Sequence, residues 1–296
     1  MTGVFQPSQL VREGSKRLRA APMIVHDGPG EQARGEAEWL LSRLLGQRPL
    51  ELYLDDALVP AEVAERFFSQ IDARAAGIPL QYLLGEAEFF GLPFSVMPWV
   101  FIPRPETEAV VERAIQVLRE RQAAIGRPLR LLDLGTGSGC IAVTLARALP
   151  ACVVVGVELS WKALRAARHN VSRHGLSSCV HLVQGRWAEG IAGAFDGILS
   201  NPPYVPSVQV DHLPLDVRQE PRLSLDGGET GMRDLLHLMS EARRLLCPGG
   251  ILVLECGEEQ ATELVRTGSQ AAWVDRVSTI HDLAARPRGV LITKSV

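Results

Sequence analysis

The spacing of apolar residues changes near residue 80, and the two parts of the chain predict different folds. In the first part, apolar residues recur at helical spacing over 37–45 and again over about 60–76. A glycine follows each stretch and marks where its helix ends. Residues 1–30 show weaker periodicity, which predicts a frayed or loosely helical start. A Gly- and Pro-rich stretch at 26–30 predicts a break after it. The first part therefore predicts a small helical domain.

Short apolar runs replace the helical spacing from residue 80 onward. Residues 81–85 and 89–96 predict the strands of a β-hairpin, and a helix is expected from Pro105 to about Arg121. After residue 128, runs of strand length alternate with helical stretches. The predicted strands are Leu129–Leu134, Cys152–Val157, Val180–Val183, Phe195–Ser200, Ile251–Glu255, Trp273–Ser278 and Val290–Thr293. This alternation predicts an α/β fold with helices on both faces of a sheet.

The pattern divides the chain into three parts. We assign residues 1–78 to a helical domain, residues 79–104 to the β-hairpin and a linker, and residues 105–296 to the α/β domain. The helical part offers no nucleophile, metal-binding cluster or phosphate-binding loop. We therefore expect it to dock a partner or to pack, and we expect the chemistry in the α/β domain.

Composition narrows the class of protein without choosing a function. Hydrophobic residues make up 46% of the chain and charged residues 22%, which is ordinary for a globular protein. The net charge of −3 provides no basic field, so we expect no binding of duplex nucleic acid. No window approaches the roughly 20 apolar residues of a membrane helix, and Met1–Ala20 does not resemble a signal peptide. Five scattered cysteines without metal-type spacing indicate reduced thiols, and we expect a cytoplasmic protein.

Asn201-Pro202-Pro203-Tyr204 is the most informative short stretch. It follows the predicted strand 195–200, and its prolines end that strand because neither can donate to the ladder. Ligands of open α/β sheets bind beyond the carboxyl ends of the strands. The stretch offers a side-chain amide, rigid backbone carbonyls and an aromatic ring at such an end. From these four residues alone, a simple turn is the alternative.

A glycine-rich loop, Gly135-Thr136-Gly137-Ser138-Gly139, lies between the first predicted strand of the sheet and a helix. Glycines allow a ligand to approach the backbone closely. The spacing differs from the dinucleotide fingerprint G-x-G-x-x-G, which argues against a nicotinamide-dependent oxidoreductase. The next strand ends at Glu158, where a carboxylate can bind both hydroxyls of a ribose. A solvated acid at a strand end is the alternative for Glu158.

The order of these features is similar to that of class I methyltransferases that use S-adenosylmethionine. Four motifs narrow the resemblance to the release factor glutamine methyltransferases, the PrmC/HemK family: Pro79–Tyr82, Ile102–Glu108, Asp133–Gly139 and Asn201–Tyr204. The similarity runs from about Ala37 to the C-terminus and includes Glu220-Pro221, Asp226-Gly227-Gly228 and Gly231.

The resemblance implies a fold, a cofactor and a substrate. The fold is Rossmann-like, with a seven-stranded mixed sheet and a small N-terminal helical domain joined by a β-hairpin. The cofactor is S-adenosyl-L-methionine. The substrate is a protein: the glutamine of the Gly-Gly-Gln motif in class 1 peptide chain release factors, whose side-chain nitrogen receives the methyl group.

The resemblance also assigns roles to residues. It implies a cofactor site formed by Gly135, Thr136, Gly137, Ser138, Gly139, Glu158, Trp187 and Asn201. The glycine loop holds the methionine part, Glu158 holds the ribose, and Trp187 lies against the adenine. The implied substrate site is Asn201, Pro202, Pro203 and Tyr204, of which Asn201, Pro202 and Tyr204 are catalytic; no metal is implied. For Trp187, packing in the core is the alternative.

Several positions depart from the family pattern or stay open. Glu158 stands where aspartate is usual, and its longer side chain shifts the ribose contact slightly. Arg186 precedes Trp187 where the family often has an aspartate, which leaves the contact to the adenine amino group open. Trp99 replaces a usual glycine. Arg104 is either a linker charge paired with a nearby carboxylate or part of one lip of the active site.

Amide chemistry sets what the site must do. The nitrogen lone pair of a glutamine side chain is delocalised, so this weak nucleophile must be held in line with the methyl group. We predict that the Asn201 side-chain carbonyl and the Pro202 backbone carbonyl each accept one N–H of the substrate. Tyr204 is expected to pack on the amide plane and to exclude water. No general base is needed first, because the proton becomes acidic only after transfer.

Two other functions stay open at this point. A methyltransferase acting on exocyclic amines of adenine or cytosine receives the same flat NH2, and it predicts an electropositive channel beside Tyr204. A non-catalytic module that binds release factors through residues 31–98 predicts a decayed cofactor site, against which the two intact motifs argue. We expect a monomer, and the sequence does not choose between release factors.

Overall fold

The computed structural model describes residues 4–21, 31–54 and 57–296. The predicted break at 26–30 lies outside these residues. The chain forms two compact units, one of residues 1–86 with 213–219 and one of residues 87–212 with 220–296. Among the described helices, none has both the length and the apolar character needed to cross a bilayer.

The first unit is helical. Its elements up to residue 84 are β1 (Val4–Phe5), α1 (Pro7–Ala20), α2 (Glu31–Leu45), a 3-10 turn (Pro49–Tyr53), β2 (Val59–Pro60), α3 (Ala61–Ala75) and α4 (Leu80–Leu84). The apolar faces of α1, α2 and α3 meet in a core that buries Leu18, Leu40 and Phe67 completely. The loosely helical start predicted for residues 1–30 is wrong for α1, which is a complete helix because its apolar side chains pack into this core.

A buried ion pair ties residues 213–219 to the helical unit. Arg74 on α3 donates to both carboxylate oxygens of Glu36 on α2, at 2.8 and 3.1 Å. It also donates to Asp216 at 3.3 Å. Removing one partner of a buried ion pair leaves a charge without compensation and is strongly destabilising. The helical unit therefore includes a chain segment that follows Asn-Pro-Pro-Tyr.

The β-hairpin is shorter than the sequence predicts. Its strands are β3 (Glu86–Phe89) and β4 (Leu92–Ser95), and residues 81–85 are not part of it. The apolar residues Leu80, Leu83 and Leu84 have helical spacing and pack on the helical core, so this stretch forms α4 instead.

The second unit is the α/β domain. Its helices and strands, in chain order and with α9 belonging to the first unit, are α5 (Pro105–Ile125), β5 (Arg130–Leu134), α6 (Cys140–Ala148), β6 (Val153–Glu158), α7 (Trp161–Arg173), β7 (Val180–Gln184), β8 (Phe195–Ser200), α8 (Ser207–Val210), α9 (Leu215–Arg218), α10 (Arg233–Leu245), β9 (Leu246–Glu255), α11 (Glu258–Gln270), β10 (Val274–His281) and β11 (Pro287–Lys294). A 3-10 turn spans Arg222–Ser224.

One sheet carries this domain. Its order is β10-β11-β9-β8-β5-β6-β7, with β11 antiparallel to both neighbours and the other pairs parallel. Helices α5, α6 and α7 cover one face, and α10 and α11 cover the other. The predicted seven-stranded mixed sheet is therefore confirmed.

The strand order reverses at β5, which lies between β6 and β8. Crevices at such a reversal, beyond the carboxyl ends of the strands, are where open α/β sheets bind ligands. The glycine-rich loop follows β5, and Asn-Pro-Pro-Tyr follows β8. The Ser200 hydroxyl at the end of β8 donates to the Leu134 carbonyl at 2.6 Å, which joins the two strand ends. The fold thus brings the two sequence motifs together.

Candidate active site

The glycine-rich loop is shaped by its backbone and held from inside by Asp133. Gly135, Gly137 and Gly139 have φ angles of 75°, 56° and 82°, in the left-handed region that favours glycine. The Asp133 Oδ2 atom accepts from the Thr136 hydroxyl at 2.5 Å. It also accepts from the backbone N–H of residue 142 in α6, at 3.1 Å. The loop therefore has a fixed form before any ligand binds.

Asp133 is fully buried, and one of its oxygens, Oδ1, has no hydrogen-bond partner in the described chain. Burial raises the pKa of Asp133 to about 7, and the nearby Glu158 carboxylate acts in the same direction. The hydrogen bonds from Thr136 and from the backbone of α6 act against this rise. The folded protein therefore binds a proton at Asp133 more tightly than the unfolded chain does.

This raised pKa predicts that Asp133→Asn increases the free energy of unfolding by an amount that depends on pH. The unfolded chain ionises Asp133 near 3.8, whereas the folded protein keeps the proton up to about 7. The contribution of Asp133 to the free energy of unfolding is fully present below 3.8 and is lost as pH rises to about 7. Relative to wild type, Asp133→Asn should therefore gain stability across this range, by up to about 1.4 kcal/mol per pH unit.

Urea denaturation at several pH values measures this difference. Asp275→Asn, at an exposed position of β10, is the matched control and should track wild type throughout. A constant difference between Asp133→Asn and wild type from pH 4 to pH 7 would contradict the raised pKa.

Glu158 ends β6 and connects the glycine loop to the next helix. Its Oε2 atom accepts from the Gly137 N–H at 3.0 Å, and its Oε1 atom accepts from the Ser160 N–H at 2.8 Å. Burial raises the pKa of Glu158, and the backbone donors act against that rise. A freely solvated acid does not have both oxygens engaged in this way. Each oxygen keeps a further lone pair, so the carboxylate can accept from two adjacent hydroxyls and fits a ribose.

Trp187 lies against the glycine loop. A Cβ atom added at Gly135 would come within 3.3 Å of the Trp187 ring. The ring also packs against the apolar cluster under α10 and α11. The Trp187 backbone has a φ of 49°, which is unusual for an aromatic residue. Trp187 thus combines core packing with a position beside the loop, and Arg186 next to it is exposed.

Asn201 and Tyr204 are both held by residues outside their motif. The Asn201 amide nitrogen donates to the Thr107 hydroxyl at 3.2 Å, in the first turn of α5. Its side-chain carbonyl is thereby left to accept from a ligand. The Pro202 carbonyl accepts no hydrogen bond from the described residues. The Tyr204 hydroxyl donates to Glu255 Oε1 at 3.2 Å, at the end of β9.

A glycine-bearing loop supports the backbone of the motif at close range. Gln260 on α11 donates to the Tyr204 carbonyl at 2.9 Å. A Cβ atom at Gly231 would lie 2.2 Å from this same carbonyl oxygen, and at Gly227 it would lie 2.7 Å from the Pro203 carbonyl oxygen. No side chain fits at such distances without moving the backbone, which explains the glycines among the family matches.

We expect Gly231→Ala to lower the free energy of unfolding of the α/β domain by at least about 3 kcal/mol. The substitution adds a backbone clash with the Tyr204 carbonyl to the strain of a φ of 77°. Gly175→Ala is the matched control, since Gly175 has a φ of 71° and open space around a new Cβ. It should cost only about 1 kcal/mol, the price of the left-handed backbone alone. Chemical denaturation of both variants measures the difference, and equal losses would contradict the close approach.

Arg104 forms an ion pair with the buried carboxylate of Glu220. The other Glu220 oxygen accepts from the Ile102 N–H at 2.9 Å, and the Arg104 guanidinium lies 5.0 Å from the centre of the Phe101 ring. The predicted pairing of Arg104 with a nearby carboxylate is confirmed. Its place in a lip of the active site stays a prediction.

No site role is predicted from the sequence for Thr107, Glu255 or Gln260. Glu255 carried a signal, because it ends an otherwise apolar strand as Glu158 does. Thr107 lies in the Ile102–Glu108 motif, but its contact with Asn201 is visible only in the fold. Gln260 carried no signal, since its hydrogen bond joins elements that are far apart in the chain.

Comparison with known proteins supplies the family. Residues 9–85 match the PrmC N-terminal domain, and residues 110–214 match the Methyltransferase small domain. The chain is 40% identical to the release factor glutamine methyltransferase of Moorella thermoacetica over 95% of each protein. The chain belongs to the release factor glutamine methyltransferase family. The Escherichia coli release factor glutamine methyltransferase is 36% identical to this chain. The match covers 95% of this chain and 96% of the Escherichia coli protein.

Solved structures agree on the fold. A methyltransferase from Pyrococcus furiosus superposes with a TM-score of 0.50 at 21% identity, covering 70% of this chain and 91% of that one. The resemblance drawn from four sequence motifs is confirmed by the family match. As a release factor glutamine methyltransferase family member, the protein is an S-adenosylmethionine-dependent enzyme, and its glycine loop and Glu158 have the chemistry that this cofactor requires.

Proposed function

We propose that this protein transfers a methyl group from S-adenosylmethionine to the side-chain nitrogen of the glutamine in the Gly-Gly-Gln motif of class 1 release factors. Relatives named release factor glutamine methyltransferase, matched over nearly the whole chain, support this substrate. One observation in the site carries the chemistry: the Asn201 amide nitrogen is engaged by Thr107, so its carbonyl oxygen is left to receive a donor.

The substrate amide has two N–H groups, and the motif has two acceptors for them. The Asn201 Oδ1 atom accepts one N–H, and the Pro202 backbone carbonyl accepts the other. The paired prolines make this backbone stiff, so the acceptors are in place before binding. Two fixed acceptors hold the nitrogen in one orientation and stabilise the positive charge that develops on it. Tyr204 lies across the amide plane and excludes water.

The cofactor, when bound, supplies an electrophilic methyl group on a sulfonium. Residues 135–139 would hold its methionine part, and Asn201 would reach both this part and the substrate. Glu158 would accept from the ribose hydroxyls with the lone pairs that Gly137 and Ser160 leave available. Trp187, which lies beside Gly135, would pack against the adenine. The proton of the methylated nitrogen leaves to solvent after transfer, and no basic side chain is required.

A methylation assay tests this function. The protein is incubated with S-adenosylmethionine and a purified class 1 release factor, and tryptic peptides are mapped by mass spectrometry. We expect a gain of one methyl group on the glutamine of Gly-Gly-Gln. A release factor in which this glutamine is replaced by alanine is the control and should gain none. Cofactor binding without any methyl group on that glutamine would refute the assignment.

The helical unit is proposed to dock the release factor, in line with the role expected for residues 1–78. Two observations support this. The matched PrmC N-terminal domain covers residues 9–85, and residues 213–219, which follow the motif, belong to the same unit. The expected monomer, the cytoplasmic location and the absence of duplex nucleic acid binding belong to this proposal. Near Tyr204, the cations Arg104 and Arg288 are both paired with carboxylates, which does not favour a nucleic-acid substrate.

A further inference from the structure

A row of polar side chains extends from Asn201 into the interior of the α/β domain. The Asn201 amide nitrogen donates to the Thr107 hydroxyl at 3.2 Å. The Thr107 hydroxyl and the Glu255 carboxyl border the same narrow gap, and the hydroxyl lowers the pKa of that carboxyl. From the other side, the Tyr204 hydroxyl donates to Glu255 Oε1 at 3.2 Å. Two residues of the motif therefore reach the same carboxyl by separate routes.

Glu255 is buried with incomplete hydrogen bonding. Its Oε2 atom has no partner of ordinary geometry in the described chain. The gap bounded by Thr107, Ser200, Asn201 and Glu255 has no room for a water molecule that could serve instead. A buried carboxyl oxygen without a full partner lowers the stability of the fold. An apolar residue at this strand end would avoid that loss, so the carboxyl points to a role in the site.

The hydroxyl of Thr107 links the charge of the Glu255 carboxyl to the orientation of the Asn201 amide. A threonine hydroxyl has one proton to donate and two lone pairs to accept with. When the Glu255 carboxylate takes that proton, Thr107 can only accept from Asn201. The Asn201 nitrogen must then face Thr107, and its oxygen must face away. An amide rotated by 180° would present N–H donors to a substrate NH2 that is itself a donor, and the match would be lost.

We propose that Glu255 is a positioning residue for methyl transfer, which acts through Thr107 to turn the Asn201 oxygen toward the substrate and through the Tyr204 hydroxyl to hold the aromatic ring. This inference rests on the proposed function of Asn201. The orientation of the Asn201 oxygen would thus be set by a carboxyl that lies outside Asn-Pro-Pro-Tyr, at the end of β9.

The charge of Glu255 decides the direction of these hydrogen bonds, because a protonated carboxyl donates where a carboxylate accepts. Burial raises the pKa of Glu255 to about 7, against the hydrogen bonds from Thr107 and Tyr204. The titratable and charged groups that face it are Tyr204, Glu106, Arg288, Cys140 and Cys256. Since the carboxylate form orients Asn201, we expect kcat to rise with pH through about 7.

The test uses the full-length protein, a release factor as substrate and saturating S-adenosylmethionine. Thr107→Val removes the hydroxyl at nearly constant shape, and Glu255→Gln removes the charge. Each should lower kcat by about 10- to 100-fold. The Kd for S-adenosylmethionine, which also reports a folded domain, should stay unchanged. Thr107→Ser restores a hydroxyl and should recover most of the kcat that Thr107→Val loses.

Two further measurements separate positioning from a merely structural role. In an Asn201→Ala background, adding Thr107→Val should cause no further loss of kcat, because both residues act through one amide oxygen. Adding Glu255→Gln should cost only the smaller part that Glu255 exerts through the Tyr204 hydroxyl. The rise of kcat near pH 7 should be absent in Glu255→Gln and kept in Glu259→Gln, an exposed control on α11.

Wild-type kcat in Glu255→Gln, or a loss from Thr107→Val that adds in full to that of Asn201→Ala, would overturn the inference. A wild-type protein that leaves the release factor unmethylated overturns the proposed function, and this inference with it. The two failures are distinguished by whether the wild-type protein is active.

Discussion

Asn201→Ala is expected to lower kcat for release factor methylation by about 10²- to 10³-fold, the loss typical of removing one acceptor or donor that acts on the transition state. The substitution removes the side-chain oxygen that accepts one N–H of the substrate amide. The backbone carbonyl of Pro202 stays, so some orientation of the nitrogen is retained. Single-turnover methylation kinetics with a purified release factor measure the effect.

The loss should appear in turnover and hardly in cofactor binding. The Kd for S-adenosylmethionine, measured by calorimetry, should change by less than about threefold, because the loop and Glu158 form most of the proposed cofactor site. Gln209→Ala, which truncates an exposed amide on the segment after the motif, is the matched control and should keep wild-type kcat. Unchanged turnover in Asn201→Ala would remove Asn201 from the mechanism.

Glu158→Ala is expected to weaken the binding of S-adenosylmethionine by about 10- to 100-fold, because hydrogen bonds to a charged group contribute about 1.5–3 kcal/mol each. The variant loses the proposed acceptor for the ribose hydroxyls, and it also frees the Gly137 N–H and the Ser160 N–H. The loss should therefore appear as a raised Kd and as a raised KM for the cofactor. Calorimetric titration of the variant and of wild type measures it.

Glu158→Asp places the residue usual in the family at this position, and it separates charge from reach. The shorter carboxylate keeps the charge, so its Kd should lie between those of wild type and Glu158→Ala. Glu189→Ala, at an exposed position after Trp187, is the control and should bind the cofactor as wild type does. A wild-type Kd in Glu158→Ala would show that the ribose binds elsewhere.

The fold of the α/β domain was largely predictable because its signals are local. Strand β8 begins and ends where its apolar run and the prolines predict, at Phe195 and Ser200. Ser160 caps α7, with its hydroxyl accepting from the N–H of residue 163 at 3.3 Å, and a serine before a helix is a local signal of this kind. The hairpin boundary was wrong because the short apolar run at 80–84 fits a strand and a helix equally, and packing decided between them.

The residues of the candidate site also fall into two groups, those predictable from local sequence and those brought together only by folding. The sequence alone singled out the candidate ligand-binding residues: the glycine loop, the strand-end carboxylate Glu158 and Asn-Pro-Pro-Tyr. Each of these is a contiguous stretch or the end of an apolar run, and each was readable without any contact. The tertiary structure decided what surrounds them. Thr107, Glu255 and Gln260 come from α5, β9 and α11, and only folding brings them within hydrogen-bond reach of residues 201–204.

The physical reason is the range of the interactions. Periodicity, proline and glycine act on a chain over a few residues, so they are written into any short window. The proposed orientation of the Asn201 amide depends on a donor and acceptor count that runs through Thr107, 94 residues from Asn201 along the chain, and Glu255, 51 residues from Tyr204. No local pattern records such a count, and the packed sheet with its helices sets it.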